Sequence, residues 1–345
     1  MDGGLLWILV ESSVKIALFF GVMLTTVAYM TLVERRVSAW IQDRRGPNRV
    51  GPFGLLQPMA DGLKFLFKEA ITPQHAHRAV YLLAPVIIFV PSMVTFSVIP
   101  FGPSIEAFGR VIPLQIAVVD NGVLIILAFA SMGVYGVALA GWSSNNKYSL
   151  MGGLRSSAQL ISYELAMGVA IVGVLMSAGS LRLTDIVAHQ AAHGWNILWQ
   201  LPGFLIFMTA AFAETNRLPF DLPEAETELV AGYHTEYSGM RFSMFYMAEY
   251  ANMITAAALA ATLYLGGYHV PGLAALGLSE KLAAAIQVLA FALKMGLFLF
   301  IYVWVRWTLP RFRYDQLMNL GWKVLLPAGL LHIVWVAFVV LMGWA

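Results

Sequence analysis

Eight apolar stretches constrain the fold of this 345-residue chain more than any other feature of its sequence. A transmembrane helix needs roughly 20 mostly apolar residues, because the hydrocarbon core of a bilayer is about 30 Å thick. The predicted spans are residues 5–33, 80–99, 122–141, 158–179, 201–213, 243–265, 282–305 and 324–342. The fifth span is the shortest, and Glu214 and Arg217 follow it closely, so a re-entrant or protein-buried helix is an alternative there.

The composition fits a protein whose surface faces lipid. Charged residues make up 12% of the chain and hydrophobic residues 59%, whereas a soluble domain carries roughly 25% charged residues. The sequence therefore predicts an all-α integral membrane protein with eight transmembrane helices, forming a single membrane domain over residues 1–345.

Lysine and arginine are distributed unequally between the two sets of predicted loops. The loops after spans one, three, five and seven hold 16 of the 21 basic residues, and the opposite loops hold 3. Basic residues are retained on the cytoplasmic side of a membrane. The first set is therefore predicted to be cytoplasmic, and both termini are predicted to lie on the other side because the number of spans is even.

Several classes of function are excluded or disfavoured by composition. The chain has no cysteine, which excludes thiolate-bound iron–sulfur clusters, thiolate zinc sites and disulfides. Its net charge of +2 gives no basic signature for nucleic acid, which is not expected as a partner. Only His332 lies well inside a span, so a haem held by paired histidines is not expected. His189 and His193 have the spacing of helical metal ligands but no third ligand, and we predict no metal site.

The first cytoplasmic loop, residues 34–79, is long and carries a net charge of +4. Beyond its glycine- and proline-rich turns, apolar residues recur at helical spacing on one face: Leu56, Met59, Leu63, Leu66 and Phe67. This pattern predicts an amphipathic helix lying in the membrane interface. A helix packed on the protein's own cytoplasmic side is the alternative. Both place the helix where a lipid-soluble substrate would enter.

The loop after span five, residues 214–240, is acidic. Between residues 214 and 236 Arg217 is the single cation. The carboxylates of this segment are Glu214, Asp221, Glu224, Glu226, Glu228 and Glu236. One interpretation is a helix start near Pro223, where acidic residues oppose the helix dipole. The other is a cluster of coupled carboxylates that holds protons near neutral pH and passes them on.

Ionisable residues also occur within the predicted spans: Glu164, Glu249, Lys294 and His332. Burying a charge in a bilayer is costly, so each is expected to face the protein interior. For Glu164 we predict a role in proton transfer, with Tyr163 beside it and Ser157 and Ser162 nearby lining a wet path. An ion pair between Glu249 and Lys294 is one possibility that the sequence leaves open.

Three stretches carry a family resemblance: VERRVSAWIQDRRGPNRVGPFGLLQPMADGLKFLFKE, AETNRLPFDLPEAETELVAGYHTEYSG and SSAQLISYELAMG. They resemble signatures of the H subunit of respiratory complex I, and the resemblance covers essentially the whole chain. It implies a multi-pass subunit of a proton-translocating NADH:quinone oxidoreductase in the bacterial inner membrane, with periplasmic termini. Related subunits of membrane-bound hydrogenases and formate hydrogenlyases are an alternative, although the full motifs look more like the quinone-reducing branch.

The resemblance also implies roles for individual residues. Glu214 and Glu164 match glutamates on the family's proton route. The carboxylates that match those linking this route to the quinone cavity are Asp61, Asp221, Glu224, Glu226 and Glu228. The residues that match those lining or bracing the cavity are Glu34, Arg35 and Arg217, with Glu236 of the EYSG element as a further candidate.

Cofactors and partners follow from the same resemblance. Quinone is expected as a substrate, and no cofactor is expected to be bound by this chain, since FMN and iron–sulfur clusters belong to partner subunits. The expected partners are the quinone-site subunits of the hydrophilic arm, small membrane subunits and lipid. A stand-alone ion transporter is a rival function, but the chain shows no inverted repeat of the kind common in transporters.

Overall fold

The computed structural model describes residues 3–107, 109–222 and 229–343. Within these residues the α-helices are α1 (Gly3–Ile41), α2 (Gln57–Phe67), α3 (Arg78–Phe96), α4 (Gly122–Ser143), α5 (Lys147–Ala178), α6 (Leu183–His193), α7 (Leu201–Glu214), α8 (Gly239–Tyr264), α9 (Glu280–Thr308), α10 (Tyr314–Asn319) and α11 (Leu326–Leu341). A π-helical segment, Leu320–Leu325, joins α10 and α11 into one continuous helix.

Each of the eight predicted spans lies on one of these helices, but two of those helices are too short or too polar to cross a membrane by length and hydropathy alone. Six helices of the described chain are long and apolar enough to cross a membrane: α1, α3, α4, α5, α9 and the continuous α10–α11 helix. The short α7 has 14 residues. The longer α8 carries Arg241, Glu249 and Asn252, and most of its residues are buried. It packs against α1, α3, α7 and α9, so its polarity is shielded by neighbouring helices.

The helix α1 continues past the predicted end of the first span. Glu34 and Arg35, placed by the sequence at the start of the cytoplasmic loop, lie instead on its last two turns. No proline or glycine interrupts the chain between Gly21 and Gly46, so nothing local ends the helix at residue 33. This extension carries Glu34 to a position beside α8 and α9.

Loops predicted to share a side of the membrane do contact one another. On the predicted cytoplasmic side, the amide of Ile71 donates to Ser238 Oγ at 3.0 Å. On the other side, the amide of Val123 donates to the carbonyl of Leu181 at 3.3 Å. Val123 lies in the first turn of α4, so the second contact joins the start of a helix to a loop.

A β-hairpin departs from the predicted all-helical fold, and one further helix lies outside the predicted spans. Strands β1 (Ser104–Ala107) and β2 (Arg110–Pro113) form an antiparallel hairpin, too short for its alternation to be recognised in sequence. The helix α6 was not predicted, and it carries His189 and His193. Their rings stack with centroids 4.4 Å apart. No group of three potential metal ligands occurs among the described histidine, aspartate and glutamate side chains.

Close helix packing around the core depends on glycine at particular positions. Gly141 of α4 meets Gly153 of α5, and a Cβ added at Gly141 would lie 2.5 Å from the carbonyl oxygen of Ser149. That oxygen belongs to backbone and cannot move aside as a flexible side chain would. Gly168 of α5, in contrast, has no atom within 4 Å of an added Cβ.

We predict that Gly141→Ala lowers the stability of the protein by about 1–3 kcal/mol, the usual cost of overpacking a well-packed core. Thermal unfolding of the detergent-purified chain measures the effect. Gly168→Ala is the matched control and should unfold at or slightly above the wild-type temperature. Equal behaviour of the two variants would show that the contact between α4 and α5 does not restrict residue 141.

Candidate functional site

A cavity of about 540 Å³ lies between α1, α2, α8 and α9. Its apolar lining includes Leu24, Val27, Phe65, Phe242, Met247 and Trp307. Its polar lining includes Glu34, Arg35, Ser38, Asp61, Lys64, Tyr246, Tyr250 and Arg306. The volume is in the range of about 300–1,000 Å³ that is typical of small-molecule pockets. A mainly apolar chamber with a charged wall suits an amphiphilic ligand that has a polar head.

Glu34 is the centre of the charged wall and is only 6% exposed. The Tyr250 hydroxyl donates to its Oε2 at 2.6 Å. Arg217 Nη1 lies 3.2 Å from both of its oxygens, and Arg306 forms a further ion pair with it. Burying a carboxylate requires this degree of pairing, because the loss of hydration costs several kcal/mol.

Arg217 joins Glu34 to a second carboxylate. Its Nε lies 2.6 Å from Glu249 Oε1, and its guanidinium stacks over the Tyr250 ring at 4.4 Å. The side chain is 4% exposed. Burial alone would lower the pKa of Arg217, but the carboxylates of Glu249 and Glu34 outweigh it and hold this pKa above its usual range. Arg217 is therefore a permanent cation between two acids.

The possible pairing of Glu249 with Lys294 is not what the structure shows. Lys294 Nζ donates to the carbonyls of Leu265, Gly267 and His269 at 2.7–2.8 Å. These carbonyls lie in the turn that follows α8. The lysine is thus satisfied by backbone carbonyls, while Glu249 is paired with Arg217.

A small polar cavity links Glu249 with Glu214. It has a volume of about 40 Å³, and Thr215, Asn216 and Asn252 also line it. A second cavity of about 30 Å³ continues from Glu214 and Asn252 towards Thr95 and Thr255. The second cavity is lined mainly by apolar side chains, whereas the first has enough polar groups and room for one or two water molecules. The carboxylates of Glu249 and Glu214 therefore face a common space that water can bridge.

Glu164 lies next in this series of acids. Its carboxylate interacts electrostatically with Glu214 and accepts a hydrogen bond from Ser131 of α4. The sequence predicted that Tyr163, beside Glu164, would line the same water-filled path, but the structure places the Tyr163 hydroxyl elsewhere. The Tyr163 hydroxyl donates to the carbonyl of Leu317 at 2.8 Å, so it faces α10. Residues adjacent in a helix are about 100° apart around its axis, and proximity in sequence does not place them on one face.

Asp61 and Arg35 form an ion pair at the rim of the main cavity. Arg35 Nη1 lies 2.8 Å from Asp61 Oδ2, and Lys64 lies 3.5 Å from the other oxygen. The Arg35 side chain is half exposed, so the pair contributes little to stability. The structure thus brings Asp61, Arg35 and Glu34 to one cavity.

Asp221 pairs with Arg311 at 3.0 Å. Burial raises the pKa of the Asp221 carboxyl, and Arg311 offsets that effect only in part. The remaining acids predicted in this loop, Glu224, Glu226 and Glu228, lie outside the described residues. The two interpretations of that segment, a helix start and a coupled carboxylate cluster, both stay predictions.

Glu236 lies apart from the cavity. Its carboxylate accepts from Asn146 Nδ2 at 2.6 Å, and its backbone carbonyl accepts from the Tyr81 hydroxyl at 2.7 Å. These contacts tie the segment before α8 to α3 and to the turn between α4 and α5. Glu236 therefore stabilises the position of the segment before α8 and does not line the cavity.

Sequence reasoning missed Arg306 and Tyr250 as parts of the site. An arginine at the cytoplasmic end of a span is common in membrane proteins, so Arg306 gave no distinct signal. Tyr250 carries no charge that would require a partner. Glu249 was the residue whose position indicated a buried charge pair, since a carboxylate within a span needs a nearby cation or a proton.

His234 packs against two aromatic residues that line the cavity. Its ring packs against Phe242 and Tyr246, which line the cavity, with centroids 5.1 Å and 6.5 Å away. Burial lowers the pKa of His234 from 6.5 to about 4. The imidazole is therefore neutral in the folded protein at physiological pH.

The chain is similar to known proteins along almost its full length. The sequence profile of a family described as NADH dehydrogenase matches residues 14–337. An NADH-quinone oxidoreductase H subunit of Cytophaga hutchinsonii is 49% identical over 94% of this chain and 95% of its own length. The corresponding H subunit of Leptospira biflexa serovar Patoc is 53% identical, covering 94% and 93%. An H subunit of Geobacter metallireducens is 53% identical, covering 92% and 93%.

We predict that Arg217→Gln destabilises the protein by about 3–5 kcal/mol, because Glu249 is left buried without a cation. The thermal unfolding temperature of the purified chain measures the loss. Adding Glu249→Gln to this variant should recover a large part of it. Arg313→Gln, at a side chain that is 76% exposed, is the control and should be neutral. A double variant no more stable than Arg217→Gln would contradict the pairing.

We also predict an acid-sensitive contribution from His234. Its folded-state pKa lies below the unfolded value of 6.5, so the unfolded chain binds the proton first as pH falls. The contribution is fully present above about pH 6.5 and is lost between there and about pH 4, amounting to roughly 3 kcal/mol. Unfolding curves of wild type and His234→Phe across this range measure it. The variant should lose less stability on acidification, and parallel pH profiles would refute the prediction.

Proposed function

The chain belongs to the NADH dehydrogenase family, together with the NADH-quinone oxidoreductase H subunits that it resembles, and from that membership we propose its function. It is a membrane subunit of a proton-translocating NADH:quinone oxidoreductase. It forms part of the quinone cavity and the beginning of the proton path. The observation that carries this proposal is the run of paired charges from Glu34 through Arg217 to Glu249, which leads from the 540 Å³ cavity towards Glu214.

The cavity suits a quinone in both shape and chemistry. Aromatic and aliphatic side chains offer contacts for the ring and its hydrocarbon tail, and Arg35 and Arg306 offer cations for the carbonyl oxygens. The electrons come from partner subunits, which hold the FMN and the iron–sulfur clusters, since this chain has no cysteine to bind a cluster. Two electrons and two protons convert the quinone to a quinol. Cations beside the oxygens stabilise the negative charge that develops before the protons arrive.

The helix α2 provides access from the membrane. Its residues Met59, Leu63, Leu66 and Phe67 are 63%, 52%, 62% and 86% exposed. A helix packed on the protein's own surface would bury these side chains, so their exposure favours a helix lying in the membrane interface. The other face of α2 presents Asp61 and Phe65 to the cavity. A lipid-soluble quinone can then enter beside α2.

Eight helices span the bacterial inner membrane in this proposal, and both termini lie on the periplasmic side. The additional spans are α7 and α8, which need less apolar surface because other helices enclose them. The first cytoplasmic loop, the segment after α7 and the segment after α9 then face the hydrophilic arm of the complex. The other expected partners are small membrane subunits and lipid.

Protons and charge move from the cavity along the buried acids. Quinone reduction changes the charge balance at Glu34, and Arg217 transmits the change because it contacts both Glu34 and Glu249. Glu249 and Glu214 share a polar cavity, and Glu214 interacts with Glu164. The acids that connect to this route from the cytoplasmic side are Asp61, Asp221, Glu224, Glu226 and Glu228.

Glu214→Gln in the assembled complex tests this proposal. The amide cannot release or accept the proton, so we expect quinone-dependent proton pumping to fall by roughly tenfold or more, with the complex still assembled. Proton uptake into sealed vesicles during NADH oxidation measures the effect. Glu106→Gln, on the exposed hairpin strand β1, is the control and should pump normally. Normal coupled turnover in the Glu214 variant would remove Glu214 from the route.

A further inference from the structure

Hydrogen bonds connect the chain that follows α2 to the start of α8. The Ser238 hydroxyl donates to the carbonyl of Glu69 at 3.2 Å and accepts from the amide of Ile71 at 3.0 Å. Arg241 Nη1 donates to Thr72 Oγ1 at 2.7 Å. The bonded residues are 167–169 positions apart in the sequence. These bonds therefore fix the C-terminal end of α2 relative to α8.

Gly239 lets the two segments approach each other closely. Its φ is +60°, and an added Cβ would lie 3.1 Å from the carbonyl oxygen of Lys68 and 3.5 Å from that of Glu69. Both the left-handed backbone and the close approach favour glycine at this position. We call Ser238, Gly239 and Arg241 together the α2 clamp.

The α8 side of the clamp packs against α3. Tyr237, next to Ser238, stacks on Tyr81 with ring centroids 4.1 Å apart, and its hydroxyl donates to the carbonyl of Tyr81 at 3.1 Å. The Arg241 guanidinium lies over the Tyr81 ring at 5.7 Å. Tyr81 and Tyr237 are both buried. The clamp therefore connects α2 to a well-packed part of the fold.

The helix α2 has few buried contacts of its own. Among its 11 residues, all of which the structure describes, Pro58 alone is buried. The ion pair of Asp61 with Arg35 is partly exposed and contributes little. A helix with so little packed surface opens more easily than the core of a protein. Its position consequently depends on the hydrogen bonds of the clamp.

The clamp lies at the edge of the 540 Å³ cavity. Phe242 and Ser243, which directly follow Arg241, line the cavity from α8, and Lys64 and Phe65 line it from α2. The rings of Phe65 and Phe242 face each other with centroids 6.2 Å apart. A movement of α2 away from α8 would separate these two walls.

We propose that Ser238, Gly239 and Arg241 are positioning residues for the quinone, because by holding α2 against α8 they set the width of the cavity. This inference rests on the proposed function, since it takes the cavity to be the quinone site. None of the three residues lines the cavity, so they act through its walls. A narrow apolar cavity contacts both faces of a planar ring, and a wider one leaves part of the ring without contacts.

Distances between two spin labels test whether the clamp holds α2. The chain has no cysteine, so Met59→Cys on α2 and Leu150→Cys on α5 can be labelled specifically in the detergent-purified chain, and both positions are exposed. Ser238→Ala with Arg241→Met removes the hydrogen bonds without adding bulk. This double variant should broaden or lengthen the distance distribution. Ser97→Ala, whose hydroxyl bonds within its own helix α3, is the control and should leave it unchanged.

Steady-state kinetics of the assembled complex test whether the position of α2 matters for quinone. The double variant should raise the KM for decylubiquinone about two- to tenfold, the factor that one net hydrogen bond contributes, while kcat changes less. Electron transfer from NADH to a water-soluble acceptor should stay normal, which shows that the complex is assembled. Met247→Trp places a larger side chain in the cavity, so it should also raise this KM and is the positive control.

The outcomes separate this inference from the proposed function. An unchanged distance distribution in the double variant would overturn the inference. An unchanged KM in the double variant, with a raised KM in Met247→Trp, would also overturn it but would leave the quinone cavity in place. An unchanged KM in both variants would mean that quinone does not bind in this cavity, and the proposed function of the cavity would fail together with the inference.

Discussion

The burial of Arg217 between Glu34 and Glu249 is the interaction on which the rest of the site depends. A guanidinium in a dry interior is stable only if carboxylates compensate for its lost hydration, and each carboxylate in turn needs the cation. The three residues come from the end of α1, the segment after α7 and the middle of α8. Tyr250 and Arg306 complete the set from α8 and α9. The charge pairing therefore fixes how four parts of the chain meet at one side of the membrane.

The same pairing explains how the enclosed helix α8 can carry charged and polar residues. A helix that faces lipid must be apolar along its length, but α8 is enclosed by α1, α3, α7 and α9. It can therefore carry Glu249 and Asn252, which line the small cavity shared with Glu214. Because other helices enclose α8, polar residues lie in the middle of the bundle and apolar residues lie on its outer surface. Glu249, which is 12% exposed, lies in the interior of this bundle.

The periodicity and hydropathy of the sequence predicted where the helices lie, because apolar length is a local property. The partners of the buried charges could not be predicted in this way. Glu249 pairs with Arg217 from a loop 32 positions earlier in the chain, and Lys294 is satisfied by backbone carbonyls that give no signal in sequence. The family resemblance indicated Glu34 and Arg217 as cavity residues, and their direct contact became visible only in three dimensions. Short elements such as the hairpin β1–β2 escaped prediction because four residues are too few to show a pattern.

We propose that reduction of quinone in the cavity changes the protonation of the buried acids connected to it by Arg217. Infrared difference spectroscopy of the assembled complex, comparing oxidised with reduced quinone, measures this change directly through the carbonyl band of protonated carboxyl groups. We expect a carboxyl band in the wild-type difference spectrum that disappears or shifts in Glu249→Gln. A carboxyl region that is identical in wild type and variant would contradict it, because Glu249 would then take no part in the response to quinone.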